Sequence, residues 1–308
     1  MRFAGPKLAA LNAGALVAAL GLGAGLAGLE PSPASSSPTP TPGAALADAT
    51  GQRVAIRAYE RIVSASTIAD QVLVEILPRR RLLAVTAHTH RNSPTPWRYE
   101  GLGALEAADD VEAILRLRPD LVVVSNVMES RRVARLREAG ATVFDLGPME
   151  GLASLLEDVR ALSTLVAVPE RGEALAGRLT RRYRNIADGH FVGAGIYLGV
   201  VGGQLYGGAA GTNYHDVLAG AGLRDLAADR GLRGWPVLTS EEVLALDPPW
   251  VVTNAGQERA LCGRPGLEAL AACRGGRVVG IDERYLGDPG FGLVEAAELL
   301  HERLTGAL

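Results

Sequence analysis

Lysine is almost missing from this chain: of 31 basic residues, all but Lys7 are arginine. In a sequence so rich in Ala and Gly, that bias reads as genome composition, not as chemistry. Positive charge in excess is missing too. The net charge of −3 excludes a general basic surface and with it a nucleic-acid partner. Two cysteines are too few for a Cys-rich zinc module or a disulfide-dense scaffold. There is no GxSxG and no P-loop, and none of the five histidines stands beside a Ser or Cys nucleophile. An exported α/β enzyme would need such a set or paired carboxylates in a cleft, so the sequence argues against catalysis. The glycines at 23, 25 and 28 spell GxGxxG, but no strand precedes them, so they make no nucleotide motif.

What the chain has is apolar length. Hydrophobic residues make up 48% and mean hydropathy is +0.14, a globular composition with room for two domains. Residues 1–29 place Arg2 and Lys7 ahead of the uncharged run from Leu8 to Leu29. That is a secretory signal, and it is also long enough to serve as an uncleaved membrane anchor. No Cys follows it, which disfavours a lipid anchor. Residues 30–52, rich in Pro, Ser and Thr, read as an extended linker, with Ala45-Leu46-Ala47 as a small-x-small cleavage form. The expected location is periplasmic, free or tethered to the inner membrane. In that oxidising compartment Cys262 and Cys273, eleven residues apart, either pair across one loop and helix or remain two separately buried thiols.

From residue 61 strands and helices alternate, which predicts parallel sheets covered by helices on both faces. RIVSAS is a strand, TIADQVLVEIL a helix with Asp70 near its first turn, and LLAVTA a second strand. A polar loop, HTHRNSPTPWRYEGLG, follows. The segment SRRVARLREAG is a helix with Gly140 as its C-cap. Residues 151–188 carry no strand and read as a helical connector with one break near Val168-Pro169. The alternation then resumes from AGIYLGVV, through a glycine-rich turn, to the final helix LVEAAELLHERL. One phrase occurs twice: EAILRLRPDLVVV at 112–124 and EEVLALDPPWVVT at 241–253. Each is a helix stopped by proline and followed by a doubly covered strand, and each begins with glutamate. The predicted architecture is α/β: two Rossmann-like lobes, 53–150 and 189–308, joined by a long helical connector.

These pieces together resemble the substrate-binding proteins of ABC importers for iron chelates, haem and cobalamin, in which a rigid helix joins two lobes. The resemblance spans residues 61–304 and rests on RIVSAS…VLVEIL, VEAILRLRPDLVVVS, the helical passage and GTNYHDVLAGAG…GWPVLTSEEVLALDPPWVV. The chain departs from the family's usual Pro and Thr-Glu pair in its first helix, having Thr67, Asp70 and Gln71, and has Pro78 where a Gly is usual. The resemblance implies a monomer that captures a small metal chelate or corrinoid and delivers it to an ABC permease dimer. No resident cofactor is expected. In cobalamin-binding members one surface glutamate per lobe docks on the permease; Glu112 and Glu241 match those positions. A carboxylate in the first turn of a helix is also stabilised by the helix dipole alone. A membrane-tethered interaction module that kept the fold and lost the ligand is the second reading.

Ligands of open α/β sheets bind beyond the carboxyl ends of strands. Three such loops supply candidates: His88, His90, Trp97, Arg98 and Tyr99; then Tyr206 in VVGGQLYGGAAGTNY; then Arg230, Arg233 and Trp235 in RGLRGWP. Trp235 also matches an aromatic lining the cleft in cobalamin-binding members. Aromatic walls and a few placed cations suit a flat conjugated ligand. The pair His88 and His90 offers imidazoles for chelated iron, or simply faces solvent. His215 reads as a surface or capping residue and Trp250 as core, while Tyr285 and Asp288 are placed at the cleft rim.

Overall fold

The computed structural model describes residues 43–125 and 128–306. The apolar segment and most of the Pro/Ser/Thr tract lie outside the described residues. Strands β1 (Ala45–Ala47) and β2 (Arg53–Ala55) form an antiparallel hairpin. The linker expected to run to residue 52 therefore gives way earlier, and the small-x-small triplet is a strand. Asp48 in the hairpin turn explains why: its buried carboxylate takes the Thr50 and Gln52 amides and the Arg137 guanidinium.

The N-terminal sheet contains β3 (Ile62–Ser64), β4 (Leu82–Thr86), β5 (Gly103–Leu105), β6 (Leu121–Val124) and β7 (Val143–Asp145). All neighbours are parallel, in the order β5-β4-β3-β6-β7. Every residue of β6 is buried, Leu121 and Val123 in one apolar cluster and Val122 and Val124 in another. That is why its run is continuously apolar instead of alternating. Helices α1 (Thr67–Ile76), α2 (Ala87–Asn92), α3 (Val111–Arg116) and α4 (Ser130–Glu138) belong to this lobe. The α2 helix replaces the first part of the predicted polar loop. Thr86 starts it by accepting a hydrogen bond from the Thr89 amide at 3.2 Å.

The connector is a pair of helices, α5 (Leu152–Leu165) and α6 (Pro169–Asn185). They pack closely at Gly172, where a Cβ would stand 1.8 Å from Ser163 Oγ. The 17 residues of α6 span about 25 Å. Near its start Arg171 donates to the Ile76 carbonyl of α1; near its end the Tyr183 hydroxyl donates to the Asp216 carbonyl. The Leu152 amide that opens α5 donates to the Asp216 carboxylate, so both helices meet the second lobe at one residue.

In the C-terminal lobe β8 (Gly193–Val201), β10 (Leu223–Asp225), β12 (Trp250–Asn254) and β13 (Val278–Ile281) are parallel. The sheet is nevertheless mixed, a correction to the all-parallel expectation. The predicted glycine-rich turn is a hairpin in which β9 (Gln204–Gly208) runs back along β8, and β11 (Val237–Leu238) pairs antiparallel with β9. Gly202 and Gly203, with φ of +57° and +82°, supply the left-handed turn that two-residue hairpins need. The helices here are α7 (Asn213–Gly220), α8 (Leu226–Asp229), α9 (Ser240–Leu246), α10 (Glu258–Cys262), α11 (Ala271–Arg274), α12 (Glu283–Leu286) and α13 (Gly292–Thr305). Cys262 and Cys273 are disulfide-bonded, which decides between the two readings of the pair and staples α10 to α11.

Candidate functional site

Between the lobes lies a cavity of about 300 Å³. Thr67, Gln71, His88 and Asn92 line it from α1 and α2, and Glu283, Arg284 and Asp288 from the segment after β13. Its floor joins the lobes. Gln71 Nε2 donates to both Asp288 oxygens at 2.9 and 3.0 Å, while Gln71 Oε1 accepts the Phe291 amide at 2.7 Å. Asp288 also accepts the amides of Gly290 and Gly292. Burial pushes its carboxyl above the ordinary range, against these hydrogen bonds. Asp288 is thus a bridge between the lobes, more than the rim position expected for it. On the far side of this bridge a second cavity, of about 480 Å³, is lined by Tyr99, Arg98, Phe291 and the α6 arginines.

Asp70 sits behind the cavity wall. One carboxylate oxygen accepts the Thr86 amide at 3.1 Å and the Thr86 and Thr89 hydroxyls at 2.6 Å each. These bonds tie α1 to the first turn of α2 and so place His88. Burial pushes the Asp70 carboxyl up to about 7.

The C-terminal lobe contributes a flat aromatic face. In the β9–β11 register Val237 stands opposite Tyr206, and continuing the ladder through the Gly207–Pro236 and Ala209–Gly234 bonds puts Trp235 opposite Gly208. Across β8, Gly208 pairs with Tyr197 and Tyr206 with Gly199. Cross-strand partners share a face, so Trp235, Val237, Tyr206 and Tyr197 lie on the same one. Tyr214 from α7 stacks on Tyr197 at 3.8 Å between centroids. A Cβ on Gly208 would come 2.5 Å from Tyr214, and one on Gly199 2.7 Å from the Tyr197 hydroxyl. Burial first, and the Glu283 carboxylate in addition, push both phenols above their usual range. No residue of this face lines either cavity; its link to the cleft is α7, whose Asn213 donates to the Leu286 carbonyl of α12 at 2.8 Å, the helix that carries the cavity residue Glu283.

The predicted ligand residues therefore fall into separate groups. His88 lines the interlobe cavity and shares a 3.0 Å contact with Asn92. His90 points inward on α2, 6.1 Å from the Tyr99 ring, with its Nε2 buried and without a partner among the described residues. Tyr99 is 2% exposed and lines the second cavity instead of the first. Trp97 is 59% exposed and lines neither cavity. Tyr206 and Trp235, the latter 57% exposed, share the aromatic face, and exposed Arg233 adjoins it through the Ala210 bridge. Among the described residues no three His, Cys, Asp or Glu side chains are grouped to hold a metal ion. His215 is not a capping residue: its ring bonds buried Asp225 at 2.8 Å, the hydrogen bond that chiefly raises its pKa. Glu112 and Glu241 are exposed in the first turns of α3 and α9, and Glu112 is paired with Arg135 at 2.7 Å.

Two α/β lobes on a helical connector, with a cleft beyond the strand ends, is a recognisable arrangement. The profile of the periplasmic binding protein family matches residues 107–285. The chain belongs to that family. Among its relatives is a cobalamin-binding protein of Halobacterium salinarum, 24% identical over 261 residues, covering 77% of this chain and 67% of that protein. The periplasmic haem-binding protein RhuT of Roseiflexus sp. RS-1, in apo form, superposes with a TM-score of 0.67 at 22% identity, over 80% of this chain and 98% of that one. The periplasmic vitamin B12-binding protein BtuF of Vibrio cholerae gives 0.64 at 23% identity, over 82% and 98%. At these identities the two structures establish the fold, which matches the two-lobed architecture predicted from the sequence. In this binding protein, Gln71 and Asp288 carry the interlobe contact that residue-by-residue reading missed; no local pattern marks two side chains 217 positions apart.

Proposed function

We propose that this periplasmic binding protein is the substrate-binding component of an ABC importer, not an enzyme, exported by its N-terminal segment. It captures a flat metal chelate, haem or corrinoid between the lobes and delivers it to a permease. One observation carries the reading: an aromatic face, exposed Trp235 and half-buried Tyr206 beside the Tyr197–Tyr214 stack, with Gly199 and Gly208 as its bare positions, linked to the cleft wall by the bond from α7 to α12. Such a face suits the large conjugated surface of these ligands, and Arg233 beside it suits their carboxylates or amides. The cobalamin and haem names of the relatives agree with that ligand class. Delivery would use Glu112 and Glu241 as one carboxylate per lobe on a two-fold permease.

The test is thermal unfolding against haemin, cobalamins and a panel of ferric siderophores. A ligand at about a hundredfold over its Kd adds roughly 2.7 kcal/mol and raises the midpoint. A haemin absorbance change lost in His88→Ala or His90→Ala would make that imidazole an iron ligand. If every compound leaves the midpoint unmoved, the second reading takes over: an interaction module with the same fold and no transport ligand. The Gln71–Asp288 bridge across the cleft floor is the observation that favours it. Replacing Glu112 and Glu241 with Ala should abolish uptake and leave ligand affinity unchanged; weakened binding by that variant would remove the docking role.

A further inference from the structure

Away from the cleft, the N-terminal lobe has a cavity of about 440 Å³ where the β1–β2 hairpin meets β7, an outer strand of the sheet. Arg53, Arg57 and Arg137 line it, and among the described residues no acidic side chain does. The two carboxylates that reach these arginines also accept backbone amides, which shares out their charge. Asp48, its side chain fully buried, accepts the Thr50 and Gln52 amides at 2.9 Å each as well as Arg137 Nη2 at 2.7 Å. Asp120 accepts the Glu60 and Arg61 amides at 2.8 and 2.9 Å and stands 3.9 Å from Arg57. Arg57 is held over the Tyr59 ring, 4.1 Å from its centroid. Arg53 has a 3.3 Å bond to the Ala45 carbonyl. Arg137 Nε is buried and has no acceptor among the described residues.

A buried guanidinium N–H without an acceptor is costly, and charge-assisted bonds from arginine forks are the usual way proteins hold oxyanions. Two of the three forks are pre-set, one by Asp48 and one by the Tyr59 ring, so little side-chain freedom would be lost on binding. The net charge of the whole chain gives no hint of this local excess.

We propose that the hairpin cavity binds a phosphate-type oxyanion, with Arg53, Arg57 and Arg137 as its donors. Free phosphate and the headgroup of an anionic phospholipid present the same chemistry. The site lies outside the cleft, and the proposal does not depend on the transport reading.

The test uses the full chain in dodecyl maltoside micelles and reads phosphorus-31 line widths. Inorganic phosphate should broaden with wild type and sharpen again with the Arg53→Ala, Arg57→Ala double variant, its apparent affinity falling at least tenfold. The Arg53→Lys, Arg57→Lys variant should recover part of the broadening, since charge returns without the fork. Phosphatidylglycerol added to the micelles separates the sources. If its own resonance broadens in an arginine-dependent way and the phosphate line sharpens, the headgroup is the preferred ligand. If phosphate stays broad beside unbroadened lipid, the free anion is. Line widths of both that do not depend on Arg53 and Arg57 overturn the proposal. Circular dichroism checks that the variants, both altered at exposed positions, remain folded.

Discussion

Gln71 on the first helix and Asp288 after the last strand share two hydrogen bonds, 2.9 and 3.0 Å long, across the cleft floor. Gln71 also takes the Phe291 amide, so one side chain satisfies two groups of the opposite lobe, a carboxylate and an amide. Hydrogen bonds to a charged partner contribute about 1.5–3 kcal/mol. Gln71→Ala should therefore loosen the interlobe contact first. Amide exchange at Gly290, Phe291 and Gly292 should accelerate while exchange in β6 and β12 stays slow. Unchanged exchange at Phe291 would mean that the lobes are held by the connector pair alone.

Asp70 predicts a pH dependence. Its folded carboxyl titrates near 7 against an ordinary 3.8 because it is desolvated. The folded chain thus keeps a proton that the unfolded chain has released. The stability from this group is complete below the unfolded value and is lost as pH rises through about 7. Asp70→Asn should remove the dependence: its midpoint should match wild type near pH 4 and exceed it at pH 8. At about 1.4 kcal/mol per pH unit, the difference amounts to a few kcal/mol. Parallel midpoint curves for wild type and variant from pH 4 to 8 would refute this account.

Strands covered on both faces announced themselves in the sequence. Leu121–Val124 and Trp250–Val252 are continuous apolar runs because neighbouring layers bury both sides. The β8–β9 hairpin was hidden by its own glycines. Gly207 and Gly208 look like turn residues, yet Gly208 is a strand position kept bare so that Tyr214 can lie on it. The α2 helix was hidden by composition: HTHRN reads as loop, and only the Thr86 cap marks its start. Of the candidate site, Tyr206, Trp235 and His88 were visible as chemistry on post-strand loops. What joins them depends on register and on contacts across the whole chain, which local patterns do not encode.

The disulfide should act on stability and not on binding. Cys262 and Cys273 close a short loop, with a sequence separation of 11, between α10 and α11, and neither lines a cavity described above. Chain-entropy reasoning gives about 3 kcal/mol for a loop of this size. The Cys262→Ser, Cys273→Ser variant should unfold at correspondingly lower denaturant, as should the reduced wild type, with ligand affinity intact. Equal denaturation midpoints for oxidised and reduced protein would show that the packing of α10 and α11 suffices.

Gly208→Ala separates the aromatic face from the rest of the lobe. The added methyl would meet Tyr214 at 2.5 Å, and because the obstacle is the tyrosine's Cβ, a change of ring rotamer cannot relieve it. Either α7 moves away from the sheet or β9 bends outward. Both break the 3.8 Å Tyr197–Tyr214 stack and tilt Trp235, the residue opposite Gly208. Overpacking of this kind costs about 1–3 kcal/mol. The chain should stay folded with altered near-ultraviolet circular dichroism from the tyrosines and a Trp235 emission shift. Affinity for any ligand found by the unfolding screen should fall at least tenfold. Undiminished affinity together with a broken tyrosine signal would place the ligand on the α2 side of the cleft, against His88, and remove the aromatic face from the site.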